Sequence, residues 1–155
     1  MLNSTLCYIE RDGKYLMLHR VKKKNDVNHD KWIGIGGKFE DKESPYDCVK
    51  REAYEETGLR LIKPEYRGII TFAPDNWETE QMHLFVCTDF DGELIDCDEG
   101  TLEWVDKDKI CDLPIWEGDK IFLEMIKSPC PFFSLKLEYE GDTLVGAYLD
   151  DEKIR

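Results

Sequence analysis

Apolar and β-prone residues fill 5–10 and return over 14–20, and the polar triplet Arg11-Asp12-Gly13 separates the two runs. Asp-Gly between such runs predicts a hairpin. Lys22-Lys23-Lys24-Asn25-Asp26 then predicts a basic loop. Trp32-Ile33-Gly34-Ile35-Gly36-Gly37 is apolar but glycine-rich, which suits a short strand whose backbone approaches something closely. Ser44-Pro45 predicts a helix start: Ser as N-cap, Pro at the first helical position, Asp47 in the first turn. Gly58 marks its end, so the helix is placed at 45–57. Strands follow near 65–73 and 82–89. Asp91-Gly92 predicts a turn, with 93–95 and 102–105 extended. Ile121, Phe122, Met125 and Ile126 recur at helical spacing and predict a second helix over 117–128. The segments 133–139 and 143–149 flank Gly141-Asp142 and form a last hairpin. No repeat, linker or boundary interrupts this pattern, so one domain is expected over 1–155. Strands on both sides of a central helix, with another helix late, predict an α/β (α+β) fold with a mixed sheet between helices.

Charge narrows the partners. The net charge of −13 repels a nucleic-acid backbone, so no polymeric nucleic acid is expected. A small phosphate-bearing ligand remains compatible, because a bound divalent cation reverses the local sign. No apolar stretch reaches 18 residues, so no membrane partner is expected, and MLNSTLCYIE lacks the basic start and apolar run of a secretory signal. A cytoplasmic location follows as the expectation. The cysteines Cys7, Cys48, Cys87, Cys97, Cys111 and Cys130 form no C-x-x-C pair and no zinc spacing, which predicts buried, reduced thiols.

Chemistry concentrates between Gly37 and Leu59, GKFEDKESPYDCVKREAYEETGL. On the predicted helix Glu52 and Glu56 are four apart and share a face, with Glu55 about 100° from Glu56. Carboxylates crowded like this repel one another, by a few tenths of a kcal/mol per pair in an isolated helix. Arg51, four residues before Glu55, offsets part of this. Clustered hard oxygens suit Mg²⁺, which keeps some waters and binds phosphate alongside one or two carboxylates. Glu43 sits just before the helix and can join from the loop. The Gly37 carbonyl can face the metal because no side chain blocks it. An acidic helical run alone describes a solvated face; Gly37 and Glu43 at their offsets separate this stretch from that description.

Gly37, Glu43, Arg51, Glu52, Glu55, Glu56 and Gly58, with apolar Ala53 and Leu59, match the pattern G-x5-E-x7-R-E-U-x-E-E-x-G-U, where U is apolar. Seven fixed residues arise by chance on the order of once in 10⁸ starts. The chain resembles the Nudix hydrolases, and among them the MutT-type 8-oxo-dGTP diphosphatases, particularly the bacterial MutX-like group. Beyond the box, the resemblance includes 16–20, 32–38, 98–104, 116–119 and 131–133. It implies an α/β/α sandwich around a mixed β-sheet. It also implies that Glu52, Glu55 and Glu56 hold Mg²⁺, with Mn²⁺ as a substitute, and that Arg51 orients these carboxylates. Glu99, outside the box, matches a position that adds a metal ligand or a base, so either Glu55 or Glu99 activates water. Lys38, with Lys23 or Arg20, would hold outer phosphates. Phe72 and Trp116 match positions lining the purine pocket of the mammalian oxidised-purine triphosphatase. There an Asn and two consecutive Asp residues read the base; here those positions are Ile33 and Gly118-Asp119. Asp119 carries over, with Glu117 as a substitute for the other acid.

The implied reaction is hydrolysis of a nucleoside triphosphate such as 8-oxo-dGTP to the monophosphate and pyrophosphate, for nucleotide-pool sanitation. The partner is a small-molecule nucleotide, and the protein a monomer or homodimer. Two alternatives stand beside it: hydrolysis of another nucleoside diphosphate derivative (ADP-ribose, a nucleotide sugar, a dinucleoside polyphosphate), and a non-catalytic nucleotide-sensing module.

Overall fold

The computed structural model describes residues 1–22, 26 and 28–155. Its elements in chain order are β1 (Leu2–Arg11), β2 (Lys14–His19), β3 (Trp32–Ile33), α1 (Pro45–Thr57), β4 (Leu59–Ile62), β5 (Glu65–Pro74), β6 (Glu80–Cys87), β7 (Asp89–Gly92) and β8 (Thr101–Asp106). A 3-10 turn at Ile110–Asp112, then α2 (Asp119–Met125), β9 (Phe133–Glu140), β10 (Thr143–Leu149) and β11 (Glu152–Lys153) complete the chain. The fold is mixed α+β with a central mixed sheet, in the order β11-β10-β9-β5-β6-β1-β2-β3, and β8 also pairs with β2.

β1 is the pivot. Leu2–Ile9 pairs in parallel with β6, whereas only Glu10 and Arg11 pair antiparallel with β2. The turn between β1 and β2 has Asp12 and Gly13 both at positive φ (54° and 74°), the geometry that matches hairpin twist. Side chains alternate across the strand. Leu6 and Tyr8 join Ile70, Leu84, Phe122, Leu123 and Ile126 on the α2 side. Cys7 and Ile9 join Leu16, Leu18, Ile35, Val49, Ala53 and Phe85 on the α1 side. A sheet buried on both faces explains why 5–9 reads as a continuous apolar run.

The first helix lies at the predicted bounds. Ser44 Oγ accepts from the Asp47 N–H at 3.1 Å, and Asp47 accepts from the Ser44 N–H at 3.0 Å, closing a capping box. Gly58 stops it with φ 82°, its N–H on the Tyr54 carbonyl. The second helix is shorter than the predicted 117–128: residues 117 and 118 form a turn, and Pro129 disfavours helix at the residue before it. Asp91-Gly92 is not a turn. It ends β7, which pairs with β4 as a small separate ladder, Leu59 opposite Gly92. A Cβ on Gly92 would lie 2.6 Å from the Gly58 carbonyl oxygen, so glycine stands there to let two backbones meet. Residues 93–95 belong to no strand. Of the cysteines, all six free, Cys7, Cys48, Cys87 and Cys97 are buried, whereas Cys111 is exposed and Cys130 half-buried, so the expectation of buried thiols fails at those two.

Candidate active site

The acidic cluster forms where α1 meets two irregular segments, 34–44 before it and 93–100 between β7 and β8. The first is pinned to β1: the Thr5 N–H donates to the Gly37 carbonyl at 2.9 Å, and the Cys7 N–H to the Ile35 carbonyl at 2.6 Å. Gly37 faces α1 at its other side. A Cβ there would lie 2.4 Å from the carboxylate carbon of Glu52, so the space the missing side chain leaves belongs to Glu52. The Gly37 carbonyl, expected as a metal donor, is engaged by the Thr5 amide and by the Cys48 thiol.

Arg51 organises the box. Its Nε and Nη2 donate to the two oxygens of Glu43 at 2.6 and 2.9 Å, and Nη1 donates to Glu52 at 2.8 Å and Glu55 at 3.1 Å. Nη2 also reaches the Lys38 carbonyl at 3.0 Å. The guanidinium holds the Glu43 carboxyl below its ordinary range and is itself raised by Glu43 first and Glu52 second. Glu55 is the outermost of the acids, its side chain 56 % exposed.

Glu56 turns inward instead. One of its oxygens accepts from the Gly36 N–H at 3.1 Å, and it hydrogen-bonds Glu99. Burial, then the charge of Glu99, its hydrogen bond and the charge of Glu52 push the Glu56 carboxyl far above the usual range. Burial likewise raises Glu52, against the pull of Arg51. Like charges in a poorly solvated place are costly unless a proton or a cation sits among them. The donor set is therefore of the kind a hard divalent cation takes: carboxylate oxygens in excess of local positive charge. Among the described residues, no three such groups already converge on one point; Arg51 draws Glu52 and Glu55 to one side, and Glu56 and Glu99 meet at the other.

The expected base readers gather at a second place. Phe72 of β5, Trp116 before α2 and Tyr139 of β9 form an aromatic corner, with ring centroids 5.1–5.4 Å apart and Phe72 edge-on to Trp116 at 73°. Asp119 is buried beside it; burial pushes its carboxyl up to about 8, and the Lys31 ammonium pulls it back. Lys31 Nζ also stands 4.8 Å from the Trp116 ring centroid. Gly118 has no room for an acid: a Cβ there would lie 2.6 Å from Leu137 Cδ1 and 2.7 Å from the Tyr139 oxygen, which accepts the Gly118 N–H. Glu117 pairs with Lys120 at 3.0 Å and comes within 4.0 Å of Arg155. Lys38 is exposed, and Lys23 lies outside the described residues.

Sequence reasoning missed Tyr139, Asn28 and Asp26. Arg20, weighed as a phosphate holder, instead bonds Asp26 and Glu99. No local signal marks Tyr139 and Asn28, whose side-chain partners lie 21 and 88 residues away, and the bond of Asp26 to Arg20, six residues before it, follows no regular spacing.

With this geometry in place, comparison with known proteins assigns the family. The NUDIX domain model matches residues 2–126. The chain belongs to the Nudix hydrolase family. It is 34 % identical over 127 residues to a Nudix hydrolase of Bacillus subtilis, uncharacterised and called YvcI, covering 79 % of this chain and 77 % of that one. It is 30 % identical to the oxidized purine nucleoside triphosphate hydrolase of Danio rerio, over 95 % of this chain and 93 % of the relative. A crystal structure of a mutator MutT protein from Bacillus halodurans superposes with a TM-score of 0.85 at 30 % identity, over 98 % and 99 % of the two chains. Nudix hydrolases generally need divalent cations and act on small-molecule nucleotides. No described helix is long and apolar enough to cross a membrane.

Proposed function

We propose that this Nudix protein is a Mg²⁺-dependent, cytoplasmic, single-domain diphosphatase that converts 8-oxo-dGTP or a related oxidised purine triphosphate to its monophosphate and pyrophosphate, clearing damaged precursors from the nucleotide pool. The observation that carries this reading is the coexistence of a carboxylate cluster, Glu52, Glu55, Glu56 and Glu99, with an aromatic corner holding a buried acid, Asp119. The first suits a cation–phosphate chain and the second a purine. Relatives named for oxidised purine triphosphate hydrolysis and for MutT support the substrate.

Glu52 and Glu56, with Glu55 and Glu99 at the rim and the 36–37 backbone alongside, would hold the divalent ion. Bound there, it would neutralise phosphate oxygens and lower the pKa of water. Arg51 keeps Glu52 and Glu55 in place. Either Glu55 or Glu99 takes the proton of a water that adds to the β-phosphorus; the anhydride bond to the α-phosphate breaks, and monophosphate and pyrophosphate separate. Phe72 and Trp116 offer apolar faces to the base, where stacking contributes about 1–3 kcal/mol. Asp119 pairs with the purine edge, including the N7–H that 8-oxoguanine has and guanine lacks.

A panel of 8-oxo-dGTP, dGTP, CTP, ADP-ribose and diadenosine polyphosphates with Mg²⁺, scored by product and by kcat/KM, tests this. The expected result is highest kcat/KM for 8-oxo-dGTP with pyrophosphate release, and a reduced 8-oxo-dGTP to dGTP ratio in Asp119→Ala. Preference for another class, or a ratio unmoved by that substitution, overturns the base assignment; no cleavage of any compound overturns the hydrolase.

A further inference from the structure

Glu99 stands on a segment without helix or strand, its backbone carbonyl accepting from the Lys22 N–H at 3.4 Å. Arg20, just past β2, supplies an anchor for the Glu99 carboxylate. Its backbone is braced against the 28–31 turn, by Arg20 N–H to the Lys31 carbonyl at 3.0 Å and Asp30 N–H to the Arg20 carbonyl at 2.6 Å. Its guanidinium spans two acids: Nη1 donates to Glu99 at 3.1 Å and Nε to Asp26 at 2.6 Å. The other oxygen of Asp26 accepts from the Asn28 N–H at 3.1 Å, and the Asn28 side-chain oxygen accepts from the indole N–H of Trp116 at 2.6 Å.

We infer that Arg20 is a positioning residue that holds Glu99 against Glu56 and, through Asp26 and Asn28, ties that carboxylate to the indole of Trp116. The acid cluster and the aromatic corner are then joined by one hydrogen-bonded chain, Trp116–Asn28–Asp26–Arg20–Glu99–Glu56. The inference rests on the reading of those two places as halves of one nucleotide site.

Two physical features make the chain effective. The Arg20 and Asp26 side chains are only 14 % and 9 % exposed, so water and salt screen their charge-assisted bonds poorly. A guanidinium is a rigid planar fork, so it cannot turn toward one carboxylate without changing its grip on the other. A base that seats well against Trp116 leaves Glu99 in place, and one that displaces the indole disturbs it. Discrimination of this kind falls on kcat more than on KM.

The test begins without nucleotide or cation. The indole ¹H–¹⁵N resonance of Trp116, assigned by its loss in Trp116→Phe, is followed in Arg20→Gln, Asp26→Asn and, as the break next to the indole, Asn28→Ala. The expected result is displacement of that resonance in Arg20→Gln and Asp26→Asn, neither of which removes a group touching the indole, while exposed Trp77 stays in place. With 8-oxo-dGTP and Mg²⁺, Arg20→Gln and Trp116→Phe each lower kcat by ~10-fold, and the double variant by little more than either, because both break the same chain. A Trp116 resonance unmoved in both charge variants, or losses of kcat that multiply, overturns the inference. If Arg20→Gln does not fold, Asp26→Asn takes its place in both arms. Failure to cleave any nucleotide removes the functional reading and leaves the resonance result standing on its own.

Discussion

Arg51 grips Glu43 through a two-pronged fork, 2.6 Å and 2.9 Å to the two carboxylate oxygens, and donates through Nη1 to Glu52 and Glu55. One residue thereby orders the loop before α1 and the acids on it. Lysine keeps the charge but has no planar fork. Arg51→Lys is expected to cost about 1–3 kcal/mol in chemical denaturation and to lower kcat/KM by ~10²-fold by misplacing Glu52. Unchanged denaturation and turnover would show that the fork does not organise the site.

Glu56 gives a prediction in which stability and activity part. Its carboxyl is buried between Glu99 and Glu52, a like-charge arrangement that costs the cation-free fold. Glu56→Gln removes that repulsion, so its Tm without divalent cation rises above the parent's. Mg²⁺ then raises the parent's Tm and leaves the variant's nearly unmoved, since binding to the native state stabilises it. Turnover in the variant falls by at least ~10²-fold. Chelation of the cation abolishes turnover in the parent. A variant that is less stable without cation, or that gains as much Tm from Mg²⁺, would contradict the placement of Glu56 among the metal-holding acids.

Asp119 predicts a pH dependence of stability. Its folded carboxyl is pushed up to about 8, against 3.8 in an open chain. Between those values the unfolded chain has lost the proton and the folded one keeps it. The folded state therefore binds more protons there, and stability falls as pH rises. The loss is absent below about 4 and complete above about 8. Asp119→Asn keeps the shape without the titration. Its Tm advantage over the parent is expected to grow across pH 5, 6.5 and 8, measured by calorimetry without cation. A difference that stays flat across that series would mean the acid ionises in the fold as it does in water.

Gly118 predicts which substitutions the base corner refuses. Gly118→Ala sets a methyl group against Leu137 and the Tyr139 hydroxyl, with an expected loss of about 1–3 kcal/mol. Gly118→Asp, which sets a longer and charged side chain in the same place, loses more. Full tolerance of the alanine would mean the surroundings yield freely.

What could be read from the chain follows from how local each cause is. α1 is legible to the residue because its cap, its first-turn proline and its terminal glycine lie within two turns of the helix they bound. The β1–β2 hairpin is legible for the same reason. β4 and β7 are four residues each and pair only with one another, so neither has a pattern long enough to register. The Asp91-Gly92 signal misleads because glycine there serves a close approach to Gly58 and not a turn. In the site, the box acids were visible through their spacing on one helix. The meeting of Glu56 with Glu99, and the bonds of Arg20 to Asp26 and Glu99, join residues across loops whose course no local pattern sets. Gly118 was visible only as a missing acid; the Tyr139 hydroxyl that fills its place comes from a strand 21 residues away.

The parallel pairing of Leu2–Ile9 with Glu80–Cys87 has a consequence for synthesis on the ribosome. The glycine segment beside α1 hangs on β1 through Thr5 and Cys7, yet β1 has its other edge closed only by a strand that emerges more than seventy residues later. Closing so long a loop is slow, and its entropic cost precedes the contacts that offset it. A nascent chain halted before Glu80 already contains every residue of the acidic helix. It lacks the strand that closes the far edge of β1, on which Gly36 and Gly37 hang, so binding competence arrives late in translation and all at once.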